Sequence, residues 1–270
     1  MATIAEYINN IHDPAEKRAL QKIFENIGEV IPNDSLKQKK IDRDYTFEEF
    51  KSCPVAAKKN VGGAPTGTTG DENLLIFDDN IFEYHILGTQ TIVAPVISST
   101  GLNIGMDQTD NDGIELTQGI LANSRQAFVV GTAQPFFLKV KFTIPDVSGT
   151  DDCAVGFRKA EAYQANIDDY DEMACLNVIS GNIKIETILN DGATTTTDTT
   201  DDWADGETHT LEVYVDANGA VTYKIDGVAP STTAAFSFDS GETVIPFMYF
   251  LHSAEVAGAV TLISWECGIQ

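Results

Sequence analysis

The chain contains no run of about 18 apolar residues, the length that a membrane-spanning helix requires. Its first dozen residues, MATIAEYINNIH, have neither a basic start nor an apolar core segment. The expectation is a protein with no membrane partner and no secretory address. Cysteine is scarce and scattered: Cys53, Cys153, Cys175 and Cys267 form no CxxC pair. A chain of 270 residues needs no staples to fold, so the four read as mostly free thiols in a reducing compartment, behaving as small buried apolar residues. Histidine is equally thin. None of His12, His85, His209 and His252 has a second histidine at ligand spacing. His209 stands at a strand start, where a structural hydrogen bond is expected, and His85 and His252 fall in apolar strands as packed or edge residues.

Catalytic signatures are missing too. There is no serine nucleophile elbow, no dinucleotide fingerprint and no phosphate loop, since GTTGDEN at 67–73 lacks the necessary lysine. Glycan hydrolysis needs two carboxylates flanking the scissile bond, and the single-strand E-x-D-x-x-E arrangement of sandwich glucanases does not occur. The nearest acidic cluster, Asp168, Asp169, Asp171 and Glu172, reads as a solvated loop before a strand. Asp107, Asp110 and Asp112 before Gly113 have a calcium-like texture, but no glutamate stands at the twelfth position; an Asp-rich turn is the simpler expectation. The sequence therefore predicts no enzyme, no catalytic residue, no cofactor and no metal ligand.

Positive charge is nearly absent beyond residue 60. Residues 1–60 hold ten Lys or Arg against ten Asp or Glu, which leaves seven basic and thirty-one acidic residues for 61–270 and places the whole net charge of −24 there. Such a body repels nucleic acid and anionic membrane and resists non-specific association. The basic run Lys37, Lys39, Lys40 and Arg43 is interrupted by acids and lacks interleaved aromatics, so it fits an acidic protein partner better than nucleic acid.

What is present is a hydrophobic fraction of 43%, enough for a real core, arranged in two regimes. Asp13 as N-cap, Pro14 at the first helical position and Glu16 open a helix whose apolar residues Leu20, Ile23, Phe24, Ile27 and Val30 or Ile31 recur at helical spacing until Pro32. A short helix at Thr46–Ser52 and a flexible arm, GGAPTGTTG at 62–70, are expected next. Beyond residue 70 strand patterns dominate, with strict alternation in Leu211, Val213, Val215 and in Val221, Tyr223, Ile225, and with no intervening amphipathic helix. TTTTDTTDD at 194–202 reads as a surface loop. The domains predicted are 1–70, a helix and arm, and 71–270, a sandwich. The fold class is mainly β, an antiparallel jelly-roll β-sandwich with an N-terminal α-helical segment and extended arm.

The strongest local pattern is Trp203, Asp205-Gly206, the strand His209 to Val213, a turn at Asn218-Gly219, the strand Val221 to Ile225, and Asp226-Gly227. It resembles the tryptophan, histidine, hairpin, tyrosine and Asp-Gly series of concanavalin A-like and laminin-G-like jelly rolls, which serve lectins, glucanases, adhesive modules and virion proteins alike. From about Asn80 to Gln270 the chain also resembles a group of tailed-phage proteins. That likeness rests on EYHILGTQT at 83–91, MDQTDNDGIELTQG at 106–119, VSGTDDCAVGFRKAEAYQANIDDYDEMACLNVISG at 147–181 and the terminal WECGIQ.

The phage likeness implies a virion structural protein made in the host cytoplasm, of capsid decoration or head-fibre type. It would attach to capsid or other virion subunits through about residues 1–60, as a homo-oligomer that analogy makes a trimer. The alternative is a carbohydrate-binding, lectin-like adhesion module that recognises host surface glycans. Tyr163, Tyr170 and Trp203 are the candidate contacts for that role.

Overall fold

The computed structural model describes residues 45–270 apart from 60–63, 78, 105, 106, 108, 133 and 254–257. The helix expected over Asp13–Ile31, His12 and the basic run Lys37–Arg43 lie outside the described residues, as does most of the segment expected to attach to a particle. The compact unit considered below is Asp44–Gln270.

Its described residues form β1 (Tyr45–Glu48), β2 (Val55–Lys58), β3 (Glu72–Ile76), β4 (Ile81–Leu87), β5 (Val96–Ile97), β6 (Leu102–Asn103), β7 (Gly113–Thr117), β8 (Phe128–Val129) and β9 (Phe136–Thr143). They continue with β10 (Thr150–Lys159), β11 (Met173–Ile179), β12 (Asn182–Ile188), β13 (Thr195–Asp202), β14 (Thr208–Val215), β15 (Val221–Ile225), β16 (Thr243–His252) and β17 (Thr261–Ile269). The shorter sheet has the order β15-β14-β9-β17-β6-β5, with β1 also on β17. The longer has β13-β12-β11-β10-β16-β7-β4-β3-β2, with β8 also on β16. Among the described residues every strand pairing is antiparallel.

The alternation in the sequence sets which face of each strand is buried. In β9, PFFLKVKFT sends Phe136, Leu138, Val140 and Phe142 inward and leaves Phe137, Lys139, Lys141 and Thr143 outward. Inward residues of the shorter sheet, Leu211, Val213 and Trp265 among them, join Tyr84, Leu116, Val155, Leu176 and Met248 of the longer sheet in one core. This is the antiparallel jelly-roll sandwich that the strand patterns lead one to expect.

Three local expectations are overturned. Thr46–Ser52 does not form a helix: Tyr45–Glu48 is β1, paired with Trp265–Gly268, because Tyr, Thr and Phe are strand formers and Thr46 and Phe50 point into the core. TTTTDTTDD is not a loop but mostly β13, the edge strand next to β12. Its branched threonines favour the extended chain, while its aspartates keep other strands off the open edge. The described part of the expected arm, 64–70, is pinned: Thr66 N–H donates to Asn73 Oδ1 at 3.1 Å, Asn73 Nδ2 returns to Thr66 O at 2.9 Å, and Thr68 bridges Thr89. With β1 and β2 built into the two sheets, strand structure begins at Tyr45 and not near residue 71.

Candidate functional site

Both sheets have an outer face, and the two differ sharply. The outer face of the longer sheet is covered by the 160–172 segment, whose Tyr163, Ile167 and Tyr170 pack on Leu87, Ala154, Met173, Cys175, Phe247 and Tyr249. Beneath it lies a buried ion pair between Arg158 Nε and Glu115 Oε1 at 2.6 Å, both side chains fully buried. Tyr170 donates its hydroxyl to Glu115 Oε2 at 2.8 Å and lays its ring 4.3 Å from the Arg158 guanidinium carbon. His85, opposite Glu115 in the β4–β7 register, is buried and stacked on Tyr163 at 5.0 Å; burial lowers its pKa, against the pull of Glu115.

The expected glycan contacts are thus spent on the fold. Tyr170 is 1% exposed and Trp203 2%, and Tyr163 gives its hydroxyl to Ile86 O at 3.1 Å. The other singled-out residues are also placed. Asp107 Oδ2 accepts the Thr91 N–H at 2.5 Å and its hydroxyl at 2.8 Å, and Asp112 Oδ1 accepts the Thr89 N–H at 2.8 Å. These carboxylates brace the turn after β4, where Gly88 (φ +69) is needed because a Cβ there would collide with the Asp112 carboxylate. Asp110 is exposed beside them. His209 bridges Asp226 Oδ2 at 2.6 Å and Glu207 Oε2 at 3.1 Å. Glu172 departs from the expected solvated loop: it is 1% exposed, and burial, with Glu242 and Asp239 nearby, pushes it up to about 7. Cys153, Cys175 and Cys267 are buried free thiols and Cys53 an exposed one.

Towards the β13 edge of the same face, Asn177 Nδ2 donates to Asp152 Oδ1 at 2.6 Å and to Glu186 Oε2 at 2.7 Å. One amide nitrogen on β11 therefore ties together two carboxylates, one from β10 and one from β12. Burial pushes Asp152 up to about 7, against the Asn177 hydrogen bond and helped by Glu186. The folded carboxyl holds its proton more tightly than the unfolded one, whose ordinary value is 3.8. Its contribution to stability is therefore complete below 3.8 and is lost as pH rises through about 7. Asp152→Asn, a mimic of the protonated acid, is expected to gain urea stability relative to the parent as pH goes from 6 to 8.5. Parallel pH profiles for the two proteins would show that Asp152 is ionised throughout.

On the outer face of the shorter sheet the side chains form two cross-strand rows, in which Phe137 and Glu212 are buried and Tyr214 is half-buried. One row is Thr222, Tyr214, Phe137 and Gly268; the next is Lys224, Glu212, Lys139, Glu266 and Phe47. Tyr214 and Phe137 stack at 6.0 Å and 26°, Lys139 Nζ lies 5.0 Å from the Phe137 ring centre, and Lys224 Nζ 4.9 Å from that of Tyr214. Lys139 also pairs with Glu266 at 3.4 Å, and the Tyr214 hydroxyl donates to Glu212 Oε2. Burial, with Glu212 beside it, raises the Tyr214 phenol, so it stays a donor across the ordinary pH range.

Beside Tyr214 the face sinks into a depression of about 360 Å³ whose walls include Pro135, Tyr214, Asp216, Thr222, Lys224 and Gln270. Aromatic wall and polar rim together suit a ligand with an apolar face and a hydroxylated edge. Alternation in LEVYV and FFLKVKF marks Tyr214, Phe137 and the lysines as outward. Their convergence needs the β9–β14 pairing, which sequence spacing does not reveal.

No protein-family model matches the chain, and no curated protein matches it. Solved structures similar to it include the Emp47p carbohydrate recognition domain (12% identity, 84% of this chain and 97% of that one, TM-score 0.48). The lectin UEA-II complexed with galactose is another (13%, 70% and 92%, TM-score 0.48), as is a Bacillus licheniformis β-glucanase (11%, 84% and 98%, TM-score 0.45). Binding and catalysis are therefore argued from this chain's own residues.

Proposed function

We propose that the protein is a non-enzymatic carbohydrate-binding module whose ligand sits on the outer face of the shorter sheet, against Tyr214. The observation that carries this reading is the depression walled by the Tyr214 ring and rimmed by Asp216, Thr222, Lys224 and Gln270. A pyranose has apolar C–H faces and a polar rim, so it packs its ring on an aromatic wall while its hydroxyls meet a hydroxyl, an amide and a carboxylate. The wall is preorganised, since Phe137 and the Glu212 hydrogen bond hold the Tyr214 ring in place, and little rotamer freedom is lost on binding. On a virion, the setting implied by the phage resemblance, this body would hold host-surface glycans while residues 1–60 attach it to the particle.

The test is isothermal titration with soluble polysaccharides, a β-glucan, a mannan, a polyuronate and a sulfated galactan. Tyr214→Ala is expected to weaken the best binder at least about tenfold, ~1.4 kcal/mol, without moving the melting temperature appreciably. If none of the four binds the full chain, or if Tyr214→Ala leaves affinity unchanged, the reading fails.

A further inference from the structure

Basic side chains are so few on this body that their placement carries information. Of the seven in 61–270, Arg158 is buried in its ion pair, and Lys159 is tied to Asp171 at 3.2 Å and Glu242 at 3.8 Å. Arg125 reaches the Asp79 carbonyl at 2.9 Å, and Lys184 lies on the longer sheet opposite Asp198. The other three all lie on the outer face of the shorter sheet: Lys139 and Lys224 over the Phe137 and Tyr214 rings, and Lys141 further along β9. Among outward residues of β9, β14, β15 and β17 they face only Glu212 and Glu266 as acids. With Asp216 on the rim of the depression the three lysines meet three acids, so the face is near neutral on a protein of net charge −24 and is where an acidic ligand meets ammonium groups. Of these three lysines, only Lys139 has a carboxylate partner within 4.0 Å among the described residues.

We infer that the ligand of this face is an acidic polysaccharide, a chain bearing carboxylate or sulfate groups on its sugars. This rests on the carbohydrate reading above and specifies its ligand. Lys224 lines the depression itself, so an acidic substituent on the sugar held against Tyr214 meets an ammonium group directly. Lys139 shares the Lys224 row with one strand, β14, between them, which places their backbones about 10 Å apart; Lys141 follows about 7 Å further along β9. A polymer with a charge on each sugar or on alternate sugars matches such spacing. The acidic remainder of the body repels the same polymer. At physiological salt that repulsion decays over about 8 Å, so the local lysines decide affinity where the chain touches. A polyanion would therefore lie along this face and be turned away elsewhere, which gives a neutral glycan no comparable guidance.

The experiment compares a polyuronate with a neutral β-glucan of similar length on the full chain, using the parent, Lys141→Gln/Lys224→Gln and Tyr214→Ala. Expected are tighter binding of the polyuronate by the parent, at least a tenfold loss of that binding in the double lysine variant at an unchanged melting temperature, and no change in its weak β-glucan binding. Tyr214→Ala loses both. Equal affinity for both polymers, or polyuronate binding that ignores the two lysines, overturns this inference and leaves the carbohydrate reading standing. No binding of any saccharide overturns the carbohydrate reading itself. Salt-sensitive self-association abolished by the same lysine variants, seen by sedimentation, would assign the face to a second copy of the chain and would also overturn the inference.

Discussion

Arg158→Ala is expected to lower stability by about 3–5 kcal/mol, because it strands the Glu115 carboxylate in a fully buried site. The guanidinium does several jobs at once. Nε pairs with Glu115, Nη1 donates to the Lys159 carbonyl at 2.9 Å and the Glu161 carbonyl at 3.3 Å, and the plane carries the Tyr170 ring. Removing it frees two carbonyls at the root of the 160–172 segment and leaves Tyr170 against an unpaired anion. Arg158→Lys is expected to recover little, since an ammonium cannot reproduce the planar fork. The double variant Arg158→Met/Glu115→Leu separates the cost of the broken pair from the value of the intact one. Apolar replacement of a buried pair is commonly neutral or stabilising by about 1–4 kcal/mol. Urea midpoints at constant m-value measure all three; a loss below about 1 kcal/mol for Arg158→Ala would show that water reaches Glu115 in the folded state.

This network also marks where the sequence stops being legible. Glu115 sits in GIELT and Arg158 in VGFRK, two strand patterns whose outward positions read as wetted, and nothing local announces that a loop will cover them. The strands themselves are plain in the alternation. The sandwich follows from the many short strands with no helices between them, and the Trp203-to-Gly227 series is local enough to be read intact. Side chains that meet across distant strands are not. Tyr163, Tyr170 and Trp203 are attractive as glycan contacts because aromatic type is visible in a sequence and burial is not. Tyr214, a less conspicuous residue in LEVYV, gains its place only once β14 lies against β9 and β15. Local composition misleads in another way at 194–202, where Thr and Asp suggest a loop although branched threonines at a sheet edge suit a strand better than a turn.

Trp203→Ala is expected to cost about 3–5 kcal/mol, the usual loss for truncating a buried aromatic, and to lower the melting temperature on the order of 10 °C. The indole stacks on Phe142 at 4.6 Å and 28° and meets the His209 ring edge-on at 4.7 Å and 80°. Its Nε1 donates to the Glu207 carbonyl at 3.2 Å, and its backbone N–H to Gly181 O at 2.7 Å. Trp203 therefore links the β11–β12 turn of the longer sheet to β9 and β14 of the shorter one. His209 ties that corner to the next hairpin: Asp226 takes its imidazole with one oxygen and the Thr210 N–H with the other at 2.8 Å. Asp226 and Gly227 both have positive φ, +51 and +82, as the tight turn after β15 demands. Although burial opposes it, the hydrogen bonds to Asp226 and Glu207 raise the His209 pKa above its ordinary 6.5. The stability it adds is complete below 6.5 and fades as pH rises through the raised value, so the variant is best compared with the parent at pH 6 and pH 8.5. If Trp203 packing is what holds His209 between its two carboxylates, Trp203→Ala will also shrink the pH dependence, with Trp265 left as the fluorescent reporter of unfolding. Trp203→Phe, which keeps a ring on Phe142 but loses the indole N–H, is expected to restore most of both effects; a pH dependence untouched by either change would mean that the Asp226 turn holds the imidazole unaided.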